Sequence, residues 1–203
     1  GVNMHCHSFF SYNARGWSPG HIAWEARKGG WHAAALCDFD VLDGLEEFLA
    51  AGRVLELRVA VHLETRAFVR ELATSEINSP GEPGVTYIMG AGFFAVPSPP
   101  SPAAEGLASL RRSARERNEA LVARINAALP AIAIDYEADV LPRTPAGAAT
   151  ERHIVAAYVD RAARRFPDPA ERAAFWTPLL GTVAPADFAA LEAFLSKEFP
   201  GRW

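Results

Sequence analysis

The sequence predicts an α/β chain: a parallel sheet with crossover helices over about the first ninety residues, followed by a helical half. Three observations carry this. Short apolar runs stand at 2–7, 31–37 and 57–63, with helix-type patterns between them. Strand–helix–strand–helix–strand at that spacing calls for right-handed crossovers and parallel pairing. Beyond four prolines at positions 97, 99, 100 and 102, the chain turns to long Ala/Arg/Glu stretches with helical periodicity.

The elements follow in order. The run at 2–7 predicts a strand. Ser18 and Pro19 open a helix, with Ser18 as N-cap and Pro19 at the first helical position, where its missing N–H is harmless. That helix runs to about Lys28, and Gly29–Gly30 stop it. Residues 31–37 predict a buried strand. Asp43, with Glu46 three residues on, has the pattern of a capping box opening a second helix that carries Leu45, Phe48 and Leu49 on one face. Residues 57–63 predict the third strand, 75–84 a turn-rich loop, and 85–89 a further strand. In the second half, helices are predicted over 103–129, over 150–166 with Thr150 as cap, over 169–180 and over 185–199. The expected organisation is an α/β part over 1–96, then a proline-rich linker and helical insertion over 97–203.

Composition narrows the function. The 203 residues are 50% hydrophobic, enough for one sizeable domain or a domain with an insertion. The formal charge of −4 argues against general nucleic-acid binding, which favours a basic surface. No apolar run approaches the ~20 residues that cross a bilayer, and no basic stretch precedes an apolar one at the start. The expectation is a cytoplasmic protein, with Cys6 and Cys37 as small buried hydrophobes in a reducing compartment.

The chemistry-bearing residues gather at the predicted strand ends. In a strand, residues i and i+2 share a face, so His5 and His7 can grip one cation while Cys6 points away. A bare His-x-His is a weak signal, but a strand end in a parallel sheet is where α/β barrels place their ligands. Asp38 and Asp40 follow the second strand, and Glu64 follows the third. Imidazole and carboxylate donors together suit Zn, Mn or Fe. For Asp38 and Asp40, helix capping and loop hydrogen bonding are competing roles. His62 shares Glu64's face and is either a further ligand or a histidine packed under the site. Arg66 shares the same direction if the strand persists, and is either an anion-binding group or half of a surface ion pair.

The run His5-Cys6-His7-Ser8, then Ser18-Pro19, then Ala35-Leu36-Cys37-Asp38-Phe39-Asp40, then Gly44, then His62-Leu63-Glu64, resembles the PHP (polymerase and histidinol phosphatase) domain. That family shows H-x-H-S-x-x-S-D-G, an S-P helix start, a T-D-H-D loop and G-x-E at the third strand. The Arg152-His153-Ile154 stretch resembles the R-x-H segment in the helical insertion of PHP phosphoesterases that act on small nucleotides.

The resemblance implies a distorted (β/α)7 barrel with a helical insertion and a metal cluster at its C-terminal mouth. It implies hydrolysis of a small phosphorylated substrate or nucleotide, with water activated by the metal as nucleophile. Residue by residue, His5, His7 and Glu64 match ligand positions, with His62 a candidate replacement ligand. Asp38 and Asp40 match the acidic flanks of the T-D-H-D loop, which orient neighbours more than they ligate, and are the candidate catalytic carboxylates. Arg152 and His153 match positions facing a substrate phosphate, with Arg66 beside them as a candidate; an ordinary first-turn surface pair is the competing reading for Arg152 and His153.

The pattern also breaks. Tyr12 stands at the Asp of S-D-G, Phe39 at the loop's ligand His, and Tyr87 where a later strand carries His. Each change removes a ligand, so the expectation is a divalent ion (Zn, Mn or Fe) in fewer copies than the family's cluster. The family's later motifs, an A-H-P strand end and a final D-x-H, do not occur, and closing strands are not evident. An incomplete barrel, a homo-oligomer covering the open side, and a fragment missing its C-terminal half are the resulting expectations. Alongside the hydrolase stand two alternatives: a catalytically degenerate PHP domain serving as a binding module, and an inactive fragment of a longer enzyme.

Overall fold

The computed structural model describes residues 1–79 and 81–180. Its elements run β1 (Val2–Cys6), α1 (Pro19–Lys28), β2 (Ala33–Phe39), α2 (Leu45–Val54), β3 (Arg58–Phe68), β4 (Val85–Ala91), α3 (Pro102–Ala128), α4 (Glu151–Arg165) and α5 (Pro169–Leu180), with short 3-10 and π turns between. The helix expected over 185–199 lies outside the described residues. The strands form one curled, half-barrel sheet of four strands in the order β1-β2-β3-β4.

Local chemistry explains the elements that match the sequence. Ser18 caps α1 by accepting the His21 N–H, Pro19 takes the first helical position, and Gly29 ends it. α2 differs from expectation. It starts after Gly44 with no side-chain cap, so the Asp43/Glu46 capping box does not form; Asp43 pairs with Arg111 instead. The reason is close packing: a Cβ at Gly44 would come within 2.7 Å of both Leu36 and Pro19, so this glycine lets the start of α2 press onto β2 and α1.

Two further corrections concern the sheet. β3 extends to Phe68, so Glu64 lies within the strand rather than just past it. β4 pairs antiparallel to β3, whereas β1, β2 and β3 are parallel to one another. The connection from β3 to β4 contains a single 3-10 turn at Arg70–Leu72 and no crossover helix among its described residues, and it is closed by Val69 N–H donating to Gly84 O at 2.8 Å. Such a loop reverses the chain; a parallel return needs a crossover.

The described chain divides into two compact units, one of Gly1–Ala114 with Thr144–Ala148, the other starting at Arg115–Arg143 and resuming at Ala149. The core of the first is Ile22, Ala26, Leu36, Leu45, Phe48, Val61 and Leu63, where α1 and α2 cover one face of the sheet. Burying Phe48 completely contributes about 1.5–3 kcal/mol. The second unit is built on Val122, Ile125, Ile132, Val140, Ile154, Tyr158 and Trp176. Within it Asn126 bonds both backbone groups of Ile134, at 2.8 and 3.0 Å, and accepts from the Tyr158 hydroxyl at 2.8 Å. Among the described residues no helix is long and apolar enough to cross a membrane.

Candidate metal centre

Strand alternation sorts the first unit's residues onto two faces. Cys6, Leu36, Val61 and Leu63 belong to the helix-covered core. The opposite face of the sheet carries His5, Phe39, His62, Glu64 and Arg66, with Tyr87 registered opposite Arg66 and Met89 opposite Glu64. His7 follows β1 directly and continues the direction of His5.

Three of these side chains converge. His5 Nε2 lies 3.0 Å from Glu64 Oε2 and 3.1 Å from His7 Nε2, and His7 Nε2 lies 3.5 Å from the same Glu64 oxygen. At metal–ligand bonds of about 2.1 Å, neighbouring donors stand about 3.0 Å apart in an octahedron and about 3.4 Å in a tetrahedron. The three edges therefore match one face of a coordination shell, and the donor set of two imidazoles and a carboxylate suits a borderline divalent ion. Access is graded: the side chains of His5, His7 and Glu64 are 43%, 26% and 12% exposed, so the carboxylate forms the floor and the imidazoles the rim. Among the described residues this is the one group of three or more His, Cys, Asp or Glu side chains with ligand spacing. His62 falls outside it. Two residues along a strand span about 6.8 Å, so sharing Glu64's face does not bring His62 to the same point.

Asp38 is not among the three converging donors. It lies on the face opposite Phe39 and is 1% exposed. It accepts Ser8 N–H at 2.7 Å, Ser8 Oγ–H at 2.6 Å and Ser11 Oγ–H at 2.9 Å. Burial pushes its carboxyl up from the ordinary value, the Ser8 and Ser11 hydrogen bonds oppose this, and the Asp43 charge adds a smaller push. With that burial and those partners Asp38 anchors the 8–11 turn. Ser8 and Ser11 are the site's overlooked members, and the signal was their S-x-x-S spacing directly after His7. Ser11 Oγ also meets His7 Nδ1 at 3.2 Å.

Asp40 stands just past β2 with a left-handed backbone, φ 57°. Its N–H donates to Glu64 O at 2.9 Å, and its Oδ1 accepts the Thr65 hydroxyl at 2.7 Å. It thus ties the end of β2 to the strand position of Glu64.

The aromatic departures form a wall. Phe39 stacks on His7, and Tyr87 meets Phe39 edge-on with centroids 5.8 Å apart. Arg66 pairs with Glu82 of the β3–β4 connection. Arg152 and His153 belong to the second unit. His153 is buried in a capping box at the start of α4, its Nδ1 accepting Thr150 N–H at 3.0 Å. Burial, reinforced by the Arg143 charge, pushes this imidazole down to about 4.

No protein-family model matches the chain, and no curated protein matches it. Solved structures do. One is a protein of Bifidobacterium adolescentis assigned as a metal-dependent phosphoesterase: TM-score 0.61, 22% identity, covering 82% of this chain and 54% of that one. Another is an amidohydrolase of Chromobacterium violaceum, solved with bound sulfate and no metal: TM-score 0.56, 22% identity, covering 80% of this chain and 50% of that one. The chain spans about half the length of each. These likenesses show the fold alone, a mixed α/β scaffold with a curled half-barrel sheet, in which the His5–His7–Glu64 cluster lies on the sheet face opposite the α1–α2 core.

Proposed function

We propose that the chain is a metal-dependent hydrolase of phosphoesters, acting on a small phosphorylated substrate or nucleotide, with one divalent ion (Zn, Mn or Fe) held by His5, His7 and Glu64. The observation that carries this is the convergence of those three donors at coordination-shell distances. The solved phosphoesterase and amidohydrolase with this fold support a hydrolytic reading. An ion bound here would supply Lewis acidity and lower the pKa of a coordinated water. The chain's own residues do the rest. Glu64 sets the depth of the site, the Asp40 and Thr65 hydrogen bonds fix Glu64's strand, and Arg66, two residues further along the same face and paired with Glu82, would receive a substrate anion in exchange for Glu82.

The test is metal content by plasma mass spectrometry, with turnover on a panel of nucleotides and phosphomonoesters. His5→Ala and Glu64→Gln should each abolish stoichiometric metal and lower turnover by at least about 100-fold. A purified chain that takes up no transition metal and shows no His5-dependent turnover rules the proposal out.

The His7–Phe39–Tyr87 wall favours a second reading, a catalytically degenerate module, its metal cluster lost, that serves as a binding or structural platform. Stoichiometric metal that is lost in His7→Ala would speak against it.

A further inference from the structure

The hydroxyl of Ser11 stands between two groups that make different demands on it. Asp38 Oδ1 is 2.9 Å away on one side, and His7 Nδ1 is 3.2 Å away on the other. A serine hydroxyl has one proton to give and lone pairs to receive with. Asp38 Oδ1 already accepts the Ser8 N–H and is an acceptor towards Ser11 as well, so the proton of Ser11 points to Asp38, where it joins the contacts from Ser8. What Ser11 turns towards His7 is then a lone pair, and the contact is favourable when Nδ1 carries the imidazole's hydrogen. In a neutral imidazole that leaves Nε2 as the acceptor. Nε2 is the atom that stands 3.1 Å from His5 Nε2 and 3.5 Å from Glu64 Oε2. The Phe39 ring, lying against one face of the imidazole, limits its rotation.

We propose that Ser11 is a positioning residue, anchored by Asp38, that holds His7 in the Nδ1–H tautomer and so presents Nε2 as an electron-pair donor to a divalent cation. This rests on the metal reading of His5, His7 and Glu64. The relay runs from the helix-covered side of the sheet to the open side: buried Asp38 fixes the hydroxyl, the hydroxyl fixes the ring, and the ring offers one nitrogen. Orienting partners of this kind change metal affinity by about 10–100-fold when removed.

The experiment uses the full chain labelled with ¹⁵N-histidine and stripped of metal by chelator. Two-bond ¹H–¹⁵N correlations give the tautomer of each ring, and His7 is identified by its loss in His7→Gln. The unaltered chain should show His7 with Nδ1 protonated, Ser11→Ala should shift it to a mixture or to the Nε2–H form, and Ser11→Thr should restore it. In parallel, Zn²⁺ is titrated against a chromophoric chelator; Ser11→Ala should weaken binding about 10–100-fold, with Ser11→Thr close to the unaltered chain. His7 found as the Nε2–H tautomer in the unaltered chain, or a Ser11→Ala chain unchanged in both readouts, overturns the proposal. The two readings fail separately. If Zn²⁺ does not bind but His7's tautomer depends on Ser11, the metal reading falls and the positioning role stands. If Zn²⁺ binds through the three residues while the tautomer ignores Ser11, the positioning role falls alone. Should Ser11→Ala not fold, the tautomer of the unaltered chain and the Ser11→Thr titration still decide.

Discussion

The imidazole of His7 lies flat against the ring of Phe39, with centroids 4.7 Å apart and planes 12° from parallel. An apolar ring therefore occupies the position at which the PHP-like pattern carries a ligand histidine. It packs against His7 and offers no donor atom of its own.

Replacing that ring with a donor should change the site's capacity. Phe39→His is expected to raise the number of Zn²⁺ ions per chain, read by native mass spectrometry, above that of the unaltered chain. Phe39→Leu, which keeps bulk but loses the stack, should lower stability by about 0.5–1.5 kcal/mol beyond its change in buried area.

Asp38→Asn should be costly although the side chain touches no solvent. An amide offers one acceptor oxygen where Ser8 and Ser11 supply three donors, and its NH₂ would face at least one of them. A loss of about 2–4 kcal/mol in urea unfolding is expected, with weaker Zn²⁺ binding in the folded fraction.

His153 gives stability a defined pH dependence. Its folded-state value is lowered to about 4 from an ordinary 6.5, so the unfolded chain binds the extra proton first as pH falls. The contribution is fully present above 6.5 and is lost as pH falls from there through about 4, up to about 3 kcal/mol. Urea midpoints measured at pH 7.5, 6, 5 and 4 should decline in step, and His153→Asn should flatten the decline relative to the unaltered chain.

Cys37 should behave as an inert thiol. It is fully buried, and burial, with the Glu64, Asp38 and Cys6 sites adding to it, pushes the thiol up to about 12. A disulfide reagent at pH 8 is expected to label Cys37 only as the first unit opens, so its rate reports unfolding. Fast labelling of Cys37 in the native chain, read in a Cys6→Ser background, would contradict the packing around β2.

What could be read from the sequence follows how local each signal is. α1 needed Ser18, Pro19 and the Gly29–Gly30 pair, all adjacent in the chain, and α5 falls over Pro169–Leu180 as its periodicity predicts. His5, His7 and Glu64 are brought together as the alternation rule and parallel pairing require. Three features depended on distant partners. β3 continues through Thr65, Arg66 and Ala67 because β4 pairs with them, and nothing within that stretch announces the pairing or its antiparallel sense. Asp38 and Asp40 flank Phe39 symmetrically in sequence, yet one is buried against Ser8 and Ser11 and the other bonds Thr65, a difference set by the end of β2 at Phe39 and the left-handed backbone of Asp40, which break the alternation. Asp43 has the capping pattern but is drawn to Arg111, 68 residues away.

The tie between Asp40 and β3 has a consequence for how the centre would meet ions of different size. Glu64 is the fixed jaw of the grip, because its backbone carbonyl and its neighbour Thr65 are both fastened to Asp40. His5 belongs to the yielding jaw: among the described residues β1 pairs on one side only, and its register against β2 slips between Asn3 and Cys6. A Zn²⁺ at about 2.1 Å and a Ca²⁺ at about 2.4 Å would therefore be accommodated by displacement of β1 and not of β3. Selectivity among cations would then be governed by the stiffness of one strand edge.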